Sequence, residues 1–389
     1  MIIVDSYLPT RIVFGYGRLN DLKDIRLPGR KALVCTTEDH LMKTLGIQDR
    51  VEKLLRENGT DYVIFDRVRV NPTVGNVNEA VKTAKENGCD FMIGLGGGAS
   101  IDTAKATAAM MVMDGELWDY GYTGTGGRKE ITDALPIVTI STTCGTGTET
   151  DQYCVISNEE TEEKLDFTSE AIFPTISFID PELMMTLPRS QSIYQGFDAL
   201  FHCAECYVTN KHQNRMLDMF ASDGVRTVGK YLNRVIDDPK DKEARSQMAY
   251  AADILGGYCM ALYSCSSHHI LAQTLGGMYH KFPHGATLLT VAEEYYKKAC
   301  ALAPEEFDEL GAFLGEEKDP EKPGYSYVRG LVRMMEQAGA RHMPMSGFGV
   351  KKEDFKKIVD MTVHQVGISC DPYTLTDEDF MEILEKSYC

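Results

Sequence analysis

The first half of the chain alternates short apolar runs with amphipathic stretches. KALVCTT (31–37), YVIFD (62–66), FMIGL (91–95), PIVTI (136–140) and ISFID (176–180) have the length and composition of buried strands. Between them, IQDRVEKLLRENG and VGNVNEAVKTAKENG place apolar residues at helical spacing and close on glycine, a helix stop. Such alternation predicts a mostly parallel, Rossmann-like sheet flanked by helices. Beyond residue 187 the strand signal fades. Segments 193–209, 213–234, 243–281, 286–302, 325–339, 351–365 and 377–388 all carry helical spacing. The pattern predicts an α/β domain over residues 1–187 and an all-α domain over 188–389, the change falling near MMTLPRSQS, where Pro188 interrupts. With no internal repeat and no low-complexity linker, the two are expected to pack closely with a cleft between them.

Composition mainly excludes classes. A chain of 389 residues has room for two domains of ordinary size. Its 40 basic and 58 acidic residues leave a net charge of −18, which argues against nucleic acid as a partner. The 11 cysteines are scattered, without the framework of a small disulfide-rich domain. MIIVDSYLPTRIVFG lacks the basic-then-apolar pattern of a secretory signal, and no run of 18 apolar residues occurs. The expectation is a cytoplasmic protein with no membrane span.

Candidate chemistry begins at LGGGASIDTAKA, where Gly96, Gly97 and Gly98 lie between a strand and a helix. Glycines let backbone approach a phosphate, and the helix start offers free N–H groups and a positive dipole end. Ser100 is placed to cap that helix or donate a hydroxyl. Asp102 suits the dipole of the first turn, or a ribose or substrate hydroxyl. The motif is neither G-x-G-x-x-G nor a Walker loop, so a plain tight turn remains the competing reading. A second loop, STTCGTGTETD (141–151), follows another strand and supplies Thr142, Thr143 and Thr146 beside Gly145 and Gly147. Two such loops at strand C-termini point to a nucleotide at the carboxyl edge of the sheet. Strand 31–37 runs into Glu38 and Asp39. An acid there would bind adenosine ribose hydroxyls and repel a 2′-phosphate, favouring NAD over NADP. The same residues also suit the start of the next helix.

Asp198 and His202 share one helical face at i and i+4, among Phe197, Ala199, Leu200, Phe201 and Cys203. A carboxylate in such surroundings calls for a partner or a metal. Taken alone, the pair reads as a hydrogen-bonded core pair. Residues 268–284 change that weighting, because four of the nine histidines fall there: His268, His269, His280 and His284. Pro283-His284-Gly285 puts one imidazole at a turn. One Asp and three His suit Fe²⁺ or Zn²⁺ and leave a position open for an oxygen ligand. The isolated Cys203–Cys206 C-x-x-C reads as small packing residues.

Taken in order, these segments resemble the iron-containing alcohol dehydrogenase family. NPTVGNVNEAVKTAKENGCDFMIGLGGGASIDTAKA, STTCGTGTETDQYCVISNEETEEKL, ISFIDPELMMTLP, GFDALFHCAECYV and LGGMYHKFPHG carry the likeness, which is closest to its butanol-dehydrogenase-like aldehyde reductases. The resemblance implies a dehydroquinate synthase-like architecture, with Asp198, His202, His269 and His284 as metal ligands and His268 as rival third ligand. It implies a cofactor loop at Gly96, Gly97, Gly98, Ser100 and Asp102, and dinucleotide-lining positions at Asn71, Thr142, Thr143, Lys164 and Leu183. Three departures stand out: Ala99 replaces a serine, the step from His269 to His284 is one residue longer, and Gln273 occupies the place of a histidine often assigned to proton relay. Gln273 hydrogen-bonds but does not titrate, leaving His280 or solvent to carry the proton.

The reading is a metal-dependent NAD(P) oxidoreductase that interconverts primary alcohols and aldehydes, a homodimer or higher homo-oligomer. Fe²⁺ is favoured by resemblance, although Zn²⁺ suits the same ligands. Thr-Thr-Glu-Asp favours NAD, whereas the branch resemblance pulls towards NADP; the expectation is NAD. The alternatives are a polyol dehydrogenase of the glycerol type, a dehydroquinate-synthase-like lyase, and a catalytically degenerate binding or scaffold protein. The apolar neighbours Phe197, Phe201, Met278 and Tyr279 disfavour the lyase and its phosphate-bearing substrate.

Overall fold

The computed structural model describes Val4 and residues 6–388. The chain divides into two compact units, Leu8–Thr186 and Leu187–Cys389, and the described residues ahead of Leu8 group with the second.

The first unit is built on a six-stranded sheet. In chain order its strands are β1 (Arg11–Phe14), β2 (Lys31–Thr37), β3 (Asp61–Val68), β4 (Phe91–Gly96) and β5 (Ile137–Ser141), then a separate antiparallel hairpin of β6 (Tyr153–Asn158) and β7 (Glu163–Thr168), then β8 (Ile176–Ile179). The spatial order is β1-β8-β5-β4-β2-β3, and every pairing is parallel. Helices α1 (Leu41–Thr44), α2 (Ile47–Asn58), α3 (Val74–Asn87) and α4 (Gly98–Met110) fall between the strands. Strands covered on both faces need no polar side, which is why β4 reads FMIGLG and is buried throughout. One core gathers Leu33's neighbours Ala32 and Val34, Phe91, Ile93, Val138, Ile140 and Phe178. At Gly94 a Cβ would lie 2.7 Å from the Ile101 Cα, so glycine lets α4 lie close against β4.

Five of the strands coincide with the apolar runs. β1 and the β6–β7 hairpin were not anticipated: RIVF is only four residues long, and the hairpin buries one side of a polar sequence. The second unit is helical: α5 (Arg189–Asn210), α6 (Arg215–Asp237), α7 (Lys242–Tyr250), α8 (Gly257–Leu262), α9 (Ser267–Met278), α10 (His284–Ala299), α11 (Pro304–Phe313), α12 (Tyr325–Ala338), α13 (Phe355–Asp360) and α14 (Asp377–Lys386). The expected single helix over 243–281 is corrected to three pieces. A π-helical stretch, Ala251–Gly256, joins α7 to α8, and the extended backbone of Tyr263 ends α8 before Ser266 caps α9. The segment 351–365 likewise passes from α13 into a π-helical stretch, Met361–Gly367. Helix α11 was missed, although Pro304 at its first position and Glu305 and Glu306 behind it are start signals.

Candidate active site

In the α/β unit the two glycine-bearing loops lie against each other. A Cβ on Gly97 would stand 2.8 Å from Thr143 Cγ2, and one on Gly98 the same distance from Thr146 Cγ2. Thr142 N–H donates to the Gly96 carbonyl at 3.0 Å and fastens the pair. Gly97 caps α4 in place of the expected Ser100; having no side chain, it leaves the first-turn amides without a side-chain acceptor. The Ser100 and Thr146 hydroxyls are buried with no hydrogen-bond partner among the described residues. Uncapped amides and orphaned hydroxyls suit the oxygens of a diphosphate. Asp102 turns inward: its oxygens accept from the Thr148 hydroxyl at 2.8 Å and the Val155 amide at 3.1 Å. Burial pushes its carboxyl up to about 7, against the pull of Lys105 and these two bonds. The buried Lys105 amine donates to Asp151 Oδ1 and to the Asp151 and Tyr153 carbonyls, pinning α4 to the start of the hairpin.

The missed hairpin brings Lys164 to Asn71, although 93 residues separate them, with Nζ 3.2 Å from Oδ1. Leu183 sits in a short 3-10 turn, Pro181–Met184, and joins the hydrophobic core. At the end of β2, Asp39 Oδ1 accepts from the Thr37 hydroxyl at 2.6 Å and the Leu41 amide at 3.0 Å, shaping the entry to α1. Glu38 pairs its backbone amide with the Val68 carbonyl and keeps an exposed side chain.

In the helical unit three imidazoles converge on one oxygen. Asp198 Oδ1 lies 3.4 Å from His269 Nε2, 3.6 Å from His202 Nε2 and 3.7 Å from His284 Nε2. A tetrahedral ion with bonds of about 2.1 Å keeps its ligands about 3.4 Å apart; Asp198, His269 and His284 bring ligand atoms within 4.8 Å of one another, and His202 adds a nitrogen on the Asp198 side. Helix α5 supplies Asp198 and His202, α9 supplies His269, and His284 opens α10 rather than standing in a turn before it. Burial alone would raise the Asp198 carboxyl, but His202, His284 and His269 outweigh it and hold it down to about 2. Burial would lower the His269 imidazole, but Glu205 and Asp198 raise it to about 10. The cluster therefore favours a positive charge, which protons or a cation can supply.

Glu205 is the residue that sequence reasoning missed. It follows Asp198 by two helical turns on the buried face of α5, and that spacing was the available signal. His269 Nδ1 lies 2.9 Å from Glu205 Oε1, an arrangement that leaves Nε2 as a ligand. His268 is occupied elsewhere: Nδ1 lies 2.7 Å from Glu205 Oε1, and Nε2 lies 3.1 Å from the Leu288 carbonyl, an acceptor only. Gln273 is half-buried one turn beyond His269, whereas His280 is exposed in the turn after α9. Phe197 and Phe201 are fully buried, and Phe201 stacks on Tyr296 at 5.7 Å, so both serve as core. Tyr279 is half-buried and donates to Asp354 Oδ2 at 2.5 Å.

Residues 9–181 match the family described as iron-containing alcohol dehydrogenase, and residues 192–388 match the Fe-containing alcohol dehydrogenase family, C-terminal. Alcohol dehydrogenase 4 of Saccharomyces cerevisiae is 32% identical over 99% of each chain. An archaeal halo-thermophilic alcohol dehydrogenase from a Red Sea brine pool superposes with a TM-score of 0.93 at 27% identity, covering 100% of this chain and 99% of that one. NADH-dependent butanol dehydrogenase A of Thermotoga maritima does so with a TM-score of 0.89 at 30% identity and the same coverage.

Proposed function

The chain belongs to the iron-containing alcohol dehydrogenase family, and on that premise we propose that it reduces short and medium aldehydes to primary alcohols and runs the reverse oxidation. The convergence of His202, His269 and His284 on Asp198 Oδ1 carries this reading. A divalent ion held by Asp198, His202, His269 and His284 would supply Lewis acidity towards a substrate oxygen, and a bound nicotinamide would supply hydride chemistry. Asp198 contributes one negative charge, so a doubly charged ion stays electrophilic. Glu205 fixes the His269 ring. Gln273 offers its amide as a hydrogen-bond partner for the reacting oxygen, and the exposed His280 and solvent carry the proton.

A coenzyme would be held with its diphosphate at the amides of Gly97 and Gly98, and Ser100, Thr142 and Thr143 would supply hydroxyls. Lys164 and Asn71 act as a joined polar pair, Leu183 provides apolar contact, and Asp102 braces the loop from within. Glu38 takes the ribose hydroxyls and Asp39 shapes the turn beside it, which favours NAD. The Asp198, His202, His269 and His284 donors by themselves suit Fe²⁺, with Zn²⁺ accepted by the same set. Two further assignments are a cytoplasmic location and a homo-oligomeric state. No disulfide joins any described cysteine, in keeping with a reducing compartment. Among the described residues no helix is long and apolar enough to cross a membrane. Sedimentation equilibrium checks the oligomer.

The relatives' names favour alcohol and aldehyde substrates over the polyol reading. The deciding experiment is anaerobic purification with metal analysis, then NADH and NADPH oxidation with butanal, glycerol and a phosphorylated sugar acid. The expected outcome is one ion per chain, butanal turnover with NADH preferred, and loss of that turnover in His284→Ala. Metal and coenzyme binding without turnover on any aldehyde would instead support a scaffold, and failure to bind either coenzyme would defeat the reading.

A further inference from the structure

Cys265 lies in the link between α8 and α9, two residues before the first residue of the helix that carries His269. It is 8% exposed. Its Sγ, a ring nitrogen of His202 and a ring nitrogen of His269 all lie within 4.8 Å of one another. Two of the three imidazoles that meet at Asp198 thus also face a sulfur. Behind that sulfur stand Met260, with Sδ 3.2 Å from Cys265 Sγ, and Cys206, with Sγ 3.7 Å from the same Met260 Sδ. Methionine and cysteine sulfur are weak partners, so Cys265 holds no strong hydrogen bond among those described that would compete with a cation.

We propose that Cys265 is an additional ligand of the metal centre, completing a second, softer donor triangle with His202 and His269 that shares His269 with the Asp198, His269 and His284 set. This rests on the reading of Asp198, His202, His269 and His284 as a metal centre. The chemical consequence is selectivity. A purely nitrogen and oxygen shell accepts iron and zinc alike, whereas a thiolate draws the site towards zinc and cobalt(II). Binding then releases the Cys265 proton to solvent, because a coordinating thiol is deprotonated.

The test uses the full-length protein, loaded separately with Zn²⁺ and Co²⁺ and studied by X-ray absorption and optical spectroscopy. The expected result is one sulfur scatterer at about 2.3 Å from zinc and a sulfur-to-cobalt charge-transfer band. Both should vanish in Cys265→Ser and persist in Cys206→Ser. Zinc affinity in Cys265→Ser should fall by about tenfold, while Fe²⁺ affinity changes less. A zinc shell of nitrogen and oxygen alone in the wild-type protein would overturn the proposal and leave the metal centre standing. Sulfur retained in Cys265→Ser would also overturn it, pointing to another thiol. A protein that retains neither ion would sink both this inference and the functional reading beneath it. The wild-type spectrum decides the matter even if Cys265→Ser folds poorly.

Discussion

Two carboxyls in each unit, Asp102 and Glu149 in one and Asp198 and Glu205 in the other, are pushed in opposite directions by their surroundings. In the α/β unit, burial pushes Asp102 and Glu149 up to about 7 despite Lys105 and the hydrogen bonds they accept. In the helical unit, Asp198 and Glu205 are buried, yet the imidazoles around them drive both well below the usual carboxylate range. Asp102 meets the Thr148 hydroxyl and the Val155 amide, and Glu149 meets the Ser141 hydroxyl, so these acids work as braces. Asp198 and Glu205 meet nitrogens that change protonation or accept an ion. A buried acid therefore marks a cation seat when its partners are imidazoles and a fold brace when they are hydroxyls and amides.

The harshest way to break this contrast is Asp198→Asn. Removing the one charge on which three imidazoles converge should lower aldehyde-dependent turnover by about 10³-fold and empty the site, read by metal analysis after gel filtration. The corresponding change on the other side, Asp102→Asn, should leave metal content unchanged. Glu205→Gln comes next: with the His269 ring less firmly held, metal affinity should drop about 10- to 100-fold in a competition titration, with the fold intact by circular dichroism. Gly98→Ala probes the brace side. Its new methyl meets Thr146 Cγ2 at 2.8 Å, and such overpacking costs about 1–3 kcal/mol, measurable as a lower denaturation midpoint and a raised KM for coenzyme.

The smallest effect sharpens the comparison through pH. Asp102 and Glu149 hold their protons more tightly folded than unfolded, where carboxyls titrate near about 4. Their contribution is complete below that value and is lost as pH rises through about 7. Without metal, Asp198 behaves oppositely: its contribution is complete above about 4 and is lost as pH falls through about 2. Calorimetry of Asp102→Asn between these limits should show a flatter dependence of the melting temperature on pH than wild type.

The sheet was legible wherever strands are covered on both faces, because such strands must be apolar throughout: KALVCTT and FMIGL name themselves. The β6–β7 hairpin was not, since DQYCVISNEETEEKLDFT hides one buried side in charged residues. The break at 263–266 was equally silent, because SCSSHH contains neither proline nor glycine and its stop depends on the backbone of Tyr263. Within the candidate site, the helical spacing of Asp198 and His202 was readable, but the choice between His268 and His269 was not. Adjacent residues on a helix point about 100° apart, and what separates these two is the Leu288 carbonyl 20 residues away. Glu205 and Cys265 were passed over because each looked like an isolated residue in an apolar or small-residue stretch.

Glu205 has one further effect. Besides holding the His269 ring, its Oε2 accepts both the Ser266 amide and the Ser266 hydroxyl at 2.9 Å, so the same carboxylate secures the N-cap of α9. Ion binding at His269 and the opening of that helix's first turn are thereby coupled. Amide hydrogen exchange over residues 267–270 becomes a gauge of site occupancy: slow when the ion is bound, faster after chelation, with no substrate needed to read it.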